Sequence, residues 1–137
     1  MKNEGRKKVV YTAQSKYYYF AKMMVAKYVL EHDAVPLNPF NNWSYFMNDM
    51  VDRELVISAN ASLVDLSDEI WVFGPVADGV LAEMRMGMAQ GKSIRFFSLG
   101  KTYEEIQEIG IEDLTFEENV LRKEEKERLL QEFSNMK

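Results

Sequence analysis

The sequence predicts an α/β fold, a single domain of doubly wound parallel sheet with helices on both faces. Three observations predict it. Short β-branched and aromatic runs alternate with stretches of helical apolar spacing, in the order strand–helix–strand–helix–strand–helix–strand. The connections are long enough for the crossovers that parallel neighbours require. A chain of 137 residues with 47% hydrophobic content is long enough to bury one such core. The expected strand order is 2-1-3-4, with room for a fifth strand at the edge, a flavodoxin- or Rossmann-like arrangement.

Taken in order, residues 1–7 are polar and charged and read as a flexible tail. Residues 8–12 form the first strand, centred on Val9, Val10 and Tyr11. Ala13, Gln14 and Ser15 read as a turn, with Ser15 as helix N-cap and free backbone N–H groups for an anion. Residues 17–32 carry Tyr17, Phe20, Ala21, Met24, Val25, Tyr28 and Val29 at helical spacing. Three consecutive tyrosines, Tyr17 to Tyr19, cannot all point inward, which leaves one or two to line a cleft. His32 ends that helix, where a cation suits the dipole.

Residues 34–37 are a second strand, and Pro36 suits an edge position. The following loop offers Asn38, Phe40 and Trp43, amide and aromatic groups fit for a base or sugar. Residues 44–66 read as helix with a break near 58–60, and its apolar stripe is Met47, Met50, Val51, Leu55, Ala59 and Leu63. Asn60 and Asp65 lie close to the next strand. After the central unit, 93–97 is a fourth strand, 103–109 a short helix and 114–116 a candidate edge strand. Residues 117–134 read as one charged terminal helix with i, i+4 pairs such as Glu124 and Arg128.

The central unit is 68–92. Ile70 to Phe73 is an apolar strand, ended by Gly74 and Pro75. Asp78 stands where a helix cap is wanted, good helix formers run from Val80 to Gln90, and Gly91 follows as a C-terminal stop. Glu83 is the carboxylate of that helix that spacing places inward, above the carboxyl end of the strand. The switch point between first and third strands brings residues 11–15 and 74–83 to one cleft. A position near the helix N-terminus favours an ionised Glu83. Gly79 and Gly87, one turn before and after it, leave room for a sugar or for a close helix partner.

Composition narrows the partners. A net charge of −5 argues against a nucleic-acid polymer, although one phosphate needs only a few local donors. With no cysteine and one histidine, thiolate and multi-histidine metal sites are excluded, and no metal or other cofactor is called for. No apolar run approaches the ~18 residues of a membrane span, and the basic start is not followed by a signal-peptide core. The expected location is the cytoplasm, with no membrane partner.

Several tenants of this fold fail on residues. The loop after the first strand lacks the glycines of a phosphate loop, and Gly74 stands where a response regulator needs an aspartate. What remains is a carboxylate in an aromatic, amide-rich cleft. A glutamate there can attack an anomeric carbon and form a covalent glycosyl intermediate. The alternative is a Glu83 that only hydrogen-bonds the first-strand loop.

Asp78-Gly79-Val80-Leu81-Ala82-Glu83, followed by Ala89-Gln90-Gly91-Lys92 and a strand, resembles the signature of the nucleoside 2-deoxyribosyltransferase-like superfamily. That superfamily includes deoxyribosyltransferases and deoxynucleoside-monophosphate N-glycosidases. The opening Tyr11-Thr12-Ala13-Gln14-Ser15 is similar to the family's first-strand loop, and the likeness spans about residues 9–98. It implies Glu83 as nucleophile on the sugar C1′, with Gly79 at the sugar or phosphate end. Tyr11, Gln14 and Ser15 would position a nucleoside or nucleotide, with Asn38 and Trp43 near the base and Asn60 and Gly74 on the cleft. It also implies a homodimer or higher homo-oligomer, for which Met84, Met86 and Met88 offer an apolar surface, although core packing of at least Met86 is the simpler account.

The chain departs from the family at Asn60, where the family usually has an aspartate for proton transfer. An amide cannot be that acid or base. Either Asp78 or Asp65 takes the role, or the protein binds a nucleotide without cleaving it.

Overall fold

The computed structural model describes residues 5–134. Its five strands are β1 (Lys8–Gln14), β2 (Ala34–Leu37), β3 (Glu69–Phe73), β4 (Ser93–Phe97) and β5 (Glu108–Ile109). They lie in the order β2-β1-β3-β4-β5. The first four run parallel, and β5 is antiparallel to β4. The helices are α1 (Lys22–Glu31), α2 (Pro39–Trp43), α3 (Arg53–Leu66), α4 (Asp78–Ala89), α5 (Glu118–Leu121) and α6 (Lys126–Ser134). This is the doubly wound fold, in the strand order, that the sequence predicts.

Strand alternation divides the core into two layers. Val10, Trp71, Phe73 and Phe97 face α1, where they pack with Val25 and Val29. Tyr11, Ala13, Ile70, Val72 and Phe96 face the other way, with Val64 of α3, Leu81 and Met84 of α4, and Leu129 and Phe133 of α6. One consequence governs the rest: the period-2 register puts Tyr11 on the α4 side of the sheet. Pro36 is tolerated because β2 is an edge strand.

The elements differ from expectation where local chemistry competes with periodicity. Ala13 and Gln14 continue β1, pairing with Val72 and Phe73, so the turn starts at Ser15. The first helix begins as a 3-10 segment, Lys16–Ala21, which leaves Tyr17 69% and Phe20 58% exposed rather than on the core face. The break in 44–66 falls earlier than 58–60. Ser44 has φ +73°, a 3-10 turn Tyr45–Asp49 follows, and Asp52 enters α3 in extended conformation. Val56 and Val64 therefore anchor α3, while Met50 and Leu55 of the expected stripe are exposed.

Of the expected helix at 103–109 only the 3-10 turn Tyr103–Glu105 forms, closed by a Thr102–Glu105 capping box. Glu108 and Ile109 instead pair with Phe97 and Phe96 and supply the fifth strand. The candidate at 114–116 makes a single bridge, Phe116 to Val76, over the loop after β3. The terminal helix is two helices, α5 and α6, and Arg85 ties this end of the chain to α4 through Glu124 (2.8 Å) and Glu132 (3.0 Å). Of the expected tail, residues 1–4 lie outside the described residues, and Arg6 is paired with Asp68 at 2.9 Å. Met84 is buried and Met86 and Met88 pack on the same core, so the methionine cluster serves packing within the chain.

Candidate functional site

The site starts from Gly74. Its φ of +82° turns the chain sharply off β3, and a Cβ there would press on Leu99 Cβ at 3.2 Å. The loop then returns to open α4 at Asp78. Ala77 is the N-cap, without a side-chain bond. Asp78 is the first helical residue rather than the cap, and its Oδ2 accepts from Asn119 Nδ2 (3.0 Å) and Lys123 Nζ (3.3 Å).

One turn on, Glu83 projects toward the sheet. Tyr11 Oη donates to Glu83 Oε2 at 2.6 Å, joining β1 to α4 across the switch point. Burial pushes the Glu83 carboxyl up to about 7, and the Tyr11 bond offsets only part of that rise. The expectation of a fully ionised Glu83 is corrected accordingly: the residue sits in the second turn, where the helix dipole has faded, and desolvation wins. The Tyr11 phenol is raised well above its ordinary value, first by its own burial and then by the facing carboxylate.

Above this pair lies a cleft of about 560 Å³. Gln14, Ser15, Asn60, Asp78, Gly79 and Glu83 line it, with Tyr17 and Phe40, so most of the residues singled out from sequence meet there. Tyr11 reaches it through Glu83. The two glycines flanking Glu83 divide the roles left open for them. A Cβ on Gly79 would meet nothing within 4 Å, so that turn is open to the cleft. A Cβ on Gly87 would lie 2.7 Å from Ile70 Cγ1, so that turn is the close helix–strand contact.

Asn38, Trp43 and Gly74 are not among the lining residues. Asn38 is buried, donating to Gln14 Oε1 (2.9 Å) and accepting from Phe40 N (2.8 Å), while Gln14 Nε2 donates to Tyr18 O (2.8 Å). These amides tie the ends of β1 and β2 together. Phe40, not Trp43, is the aromatic of that loop on the cleft wall. Asp65 is exposed, and its carbonyl accepts from Lys92. His32 stacks on Tyr28 at 3.9 Å and lies at the opposite rim.

Asn60 has a further peculiarity. Its Oδ1 is buried and, among the described residues, has no hydrogen-bond partner. An orphaned acceptor at a cleft is the kind of group that a ligand N–H or O–H satisfies.

Sequence reasoning missed Lys16, Asn48, Asp49, Arg53, Glu117 and Asn119 on the cleft. Glu117 is the most consequential. Ser15 is the N-cap as expected, accepting from Tyr17 N (3.2 Å), but its hydroxyl proton goes to Glu117 Oε2. Nothing local marks Glu117, which reads as one more charge on a solvated helix. Among the described residues, no three His, Asp or Glu side chains gather closely enough to hold a metal ion.

Residues 11–97, more than half of the chain, match the family described as Domain of unknown function (DUF7768), and the chain belongs to that family. The match runs from Tyr11, within β1, to the end of β4, takes in Asn60, Gly79 and Glu83, and stops short of Glu117. No curated protein matches the chain.

Proposed function

We propose that this member of the DUF7768 family cleaves or transfers the N-glycosidic bond of a nucleoside or nucleoside 5′-monophosphate, with Glu83 as nucleophile. The observation that carries the reading is the Tyr11–Glu83 hydrogen bond of 2.6 Å beneath a cleft open at Gly79. A half-buried carboxylate held by one phenol is reactive when ionised, and that hydrogen bond orients it for attack on C1′. The base finds aromatic surface at Phe40 and Tyr17, and Arg53 and Lys16 on the wall supply charge for a 5′-phosphate.

Asp78, the proton carrier suggested by the sequence, already accepts from Asn119 and Lys123 at the rim, which weakens its claim to that role. A homodimer or higher homo-oligomer goes with this reading, supported by the exposed apolar side chains of Tyr17, Phe20, Met50 and Leu55. The cytoplasm is the location that goes with this reading.

The second reading is a non-catalytic nucleotide-binding domain. Asn60 favours it, because an amide stands where the resembled enzymes use an acid. Free-base release from deoxy- and ribonucleosides and their 5′-monophosphates, with and without an acceptor base, separates the two. Release without acceptor identifies a hydrolase, and release only with acceptor a transferase. No release, together with a nucleotide-induced rise in melting temperature, leaves the binding domain.

A further inference from the structure

The cleft contains a further carboxylate, Glu117, placed by a segment outside the family match. Val76 N donates to Thr115 O and Glu117 N donates to Val76 O, each at 2.9 Å, so the chain before α5 is stitched to the loop before α4. This backbone pairing fixes Glu117 at the mouth of the cleft with respect to Gly79 and Glu83. Ser15, itself buried, donates its hydroxyl to Glu117 Oε2. Among the described residues, Glu117 Oε1 has no hydrogen-bond partner, and the residue is half-buried on the cleft wall. The other acids on that wall are Asp49, which is exposed, and Asp78, whose Oδ2 already accepts twice. Asn60 can neither give nor take a proton at neutral pH.

Resting on the glycosidic reading of Glu83, we propose that Glu117 is the acid–base residue of this site, trading its proton through Oε1 while Ser15 holds Oε2. In the first step a Glu83 oxygen bonds to C1′ and the C1′–N bond breaks. The electron pair goes to the base nitrogen, which takes the Glu117 proton. In the second step a water oxygen bonds to C1′, its proton returns to Glu117, and the Glu83–C1′ bond breaks with its pair returning to Glu83. Base and free sugar leave, and both carboxyls are as they began. The charged and titratable groups facing this exchange are Tyr11 from β1, Lys16, Tyr17 and Asp49 from the 3-10 segments, Arg53 from α3, and Asp78 from α4.

The test compares base release by wild type, Glu117→Gln and Ser15→Ala, each checked for an unchanged melting temperature, with and without sodium azide. Azide attacks C1′ without needing a base, so it restores the second step, where Glu117 takes a proton from water, and leaves unassisted the first, where Glu117 gives one. The expected result is a loss on the order of 10²-fold or more in Glu117→Gln, partly recovered by azide with a glycosyl azide as product. Ser15→Ala, which keeps the carboxylate, should lose far less. Equal turnover by wild type and Glu117→Gln overturns the proposal while the Glu83 reading stands. Equal losses in Glu117→Gln and Ser15→Ala without azide recovery also overturn it, leaving Glu117 a support for Ser15. A wild type that releases no base removes the Glu83 reading itself. If Glu117→Gln melts early, Glu117→Ala, which also lacks the carboxyl, is read in its place by the same criteria.

Discussion

The two rims of the sheet carry hollows of nearly equal size and opposite chemistry. At the amino rim a hollow of about 530 Å³ is lined by Arg6, Lys7, Lys8, His32 and Arg95. Each of its Lys and Arg side chains has its own carboxylate. Arg6 meets Asp68, Lys7 meets Asp33, Lys8 meets Glu69 and Arg95 meets Glu108, at 2.7–3.1 Å. At the carboxyl rim the cleft holds a carboxyl raised by burial, an orphaned Asn60 acceptor and a Glu117 bonded to Ser15 through one oxygen. Size therefore says little about function here. What separates the rims is that the carboxyl rim, alone of the two, holds a buried acceptor with no partner among the described residues, beside a carboxyl raised by burial.

Substitutions sharpen that contrast, beginning with the cleft. Glu83→Ala should reduce base release on the order of 10⁴-fold, as loss of a nucleophile does, while thermal shifts by nucleotide persist. Glu83→Gln should affect stability in the opposite direction. A folded-state pKa of about 7 against an ordinary 4.5 means the neutral acid contributes stability that is fully present below about 4.5. That contribution is lost as pH rises through about 7. The glutamine form, which never ionises, should therefore be more stable than wild type at pH 8 by up to roughly 3 kcal/mol, and equal to it near pH 4. Urea melts at the two pH values read this directly.

Tyr11→Phe comes next. It removes the hydrogen bond that pulls Glu83 down, so the pH midpoint of base release should move above about 7, at a stability cost of about 1 kcal/mol. The smallest effect belongs to the amino rim. Lys8→Ala breaks a partly exposed ion pair and should cost less than about 1 kcal/mol, with base release unchanged. A large effect on activity there would break the comparison.

Much of this is legible in the chain, for identifiable reasons. Val9-Val10-Tyr11 and Ile70 to Phe73 announce buried strands, and strand alternation together with helical spacing brings Tyr11 and Glu83 to one cleft. Gly91, at φ +74°, and Ser15, as N-cap, carry local signals that no tertiary contact overrides. What the chain hides depends on distant partners. Glu108 and Ile109 carry a helical pattern, and only the edge of β4 makes them a strand. Met50 and Leu55 fit a core stripe by spacing, but the extended entry at Asp52, which sets the face of α3, has no periodic signature. Glu117 is invisible in the sequence because its meaning comes from Ser15, 102 residues away.

Distant contacts also bury and raise the Glu83 carboxyl, and its titration is where structure and proposed chemistry meet. The pH dependence of kcat/KM for base release, measured for wild type and Glu83→Gln between pH 5 and about 9, is the most direct test. A nucleophilic Glu83 working with a proton-donating Glu117 predicts a wild-type rate that changes across a midpoint near 7, and a Glu83→Gln rate that is negligible throughout. Base release by Glu83→Gln equal to that of wild type, with the same pH profile, would contradict it.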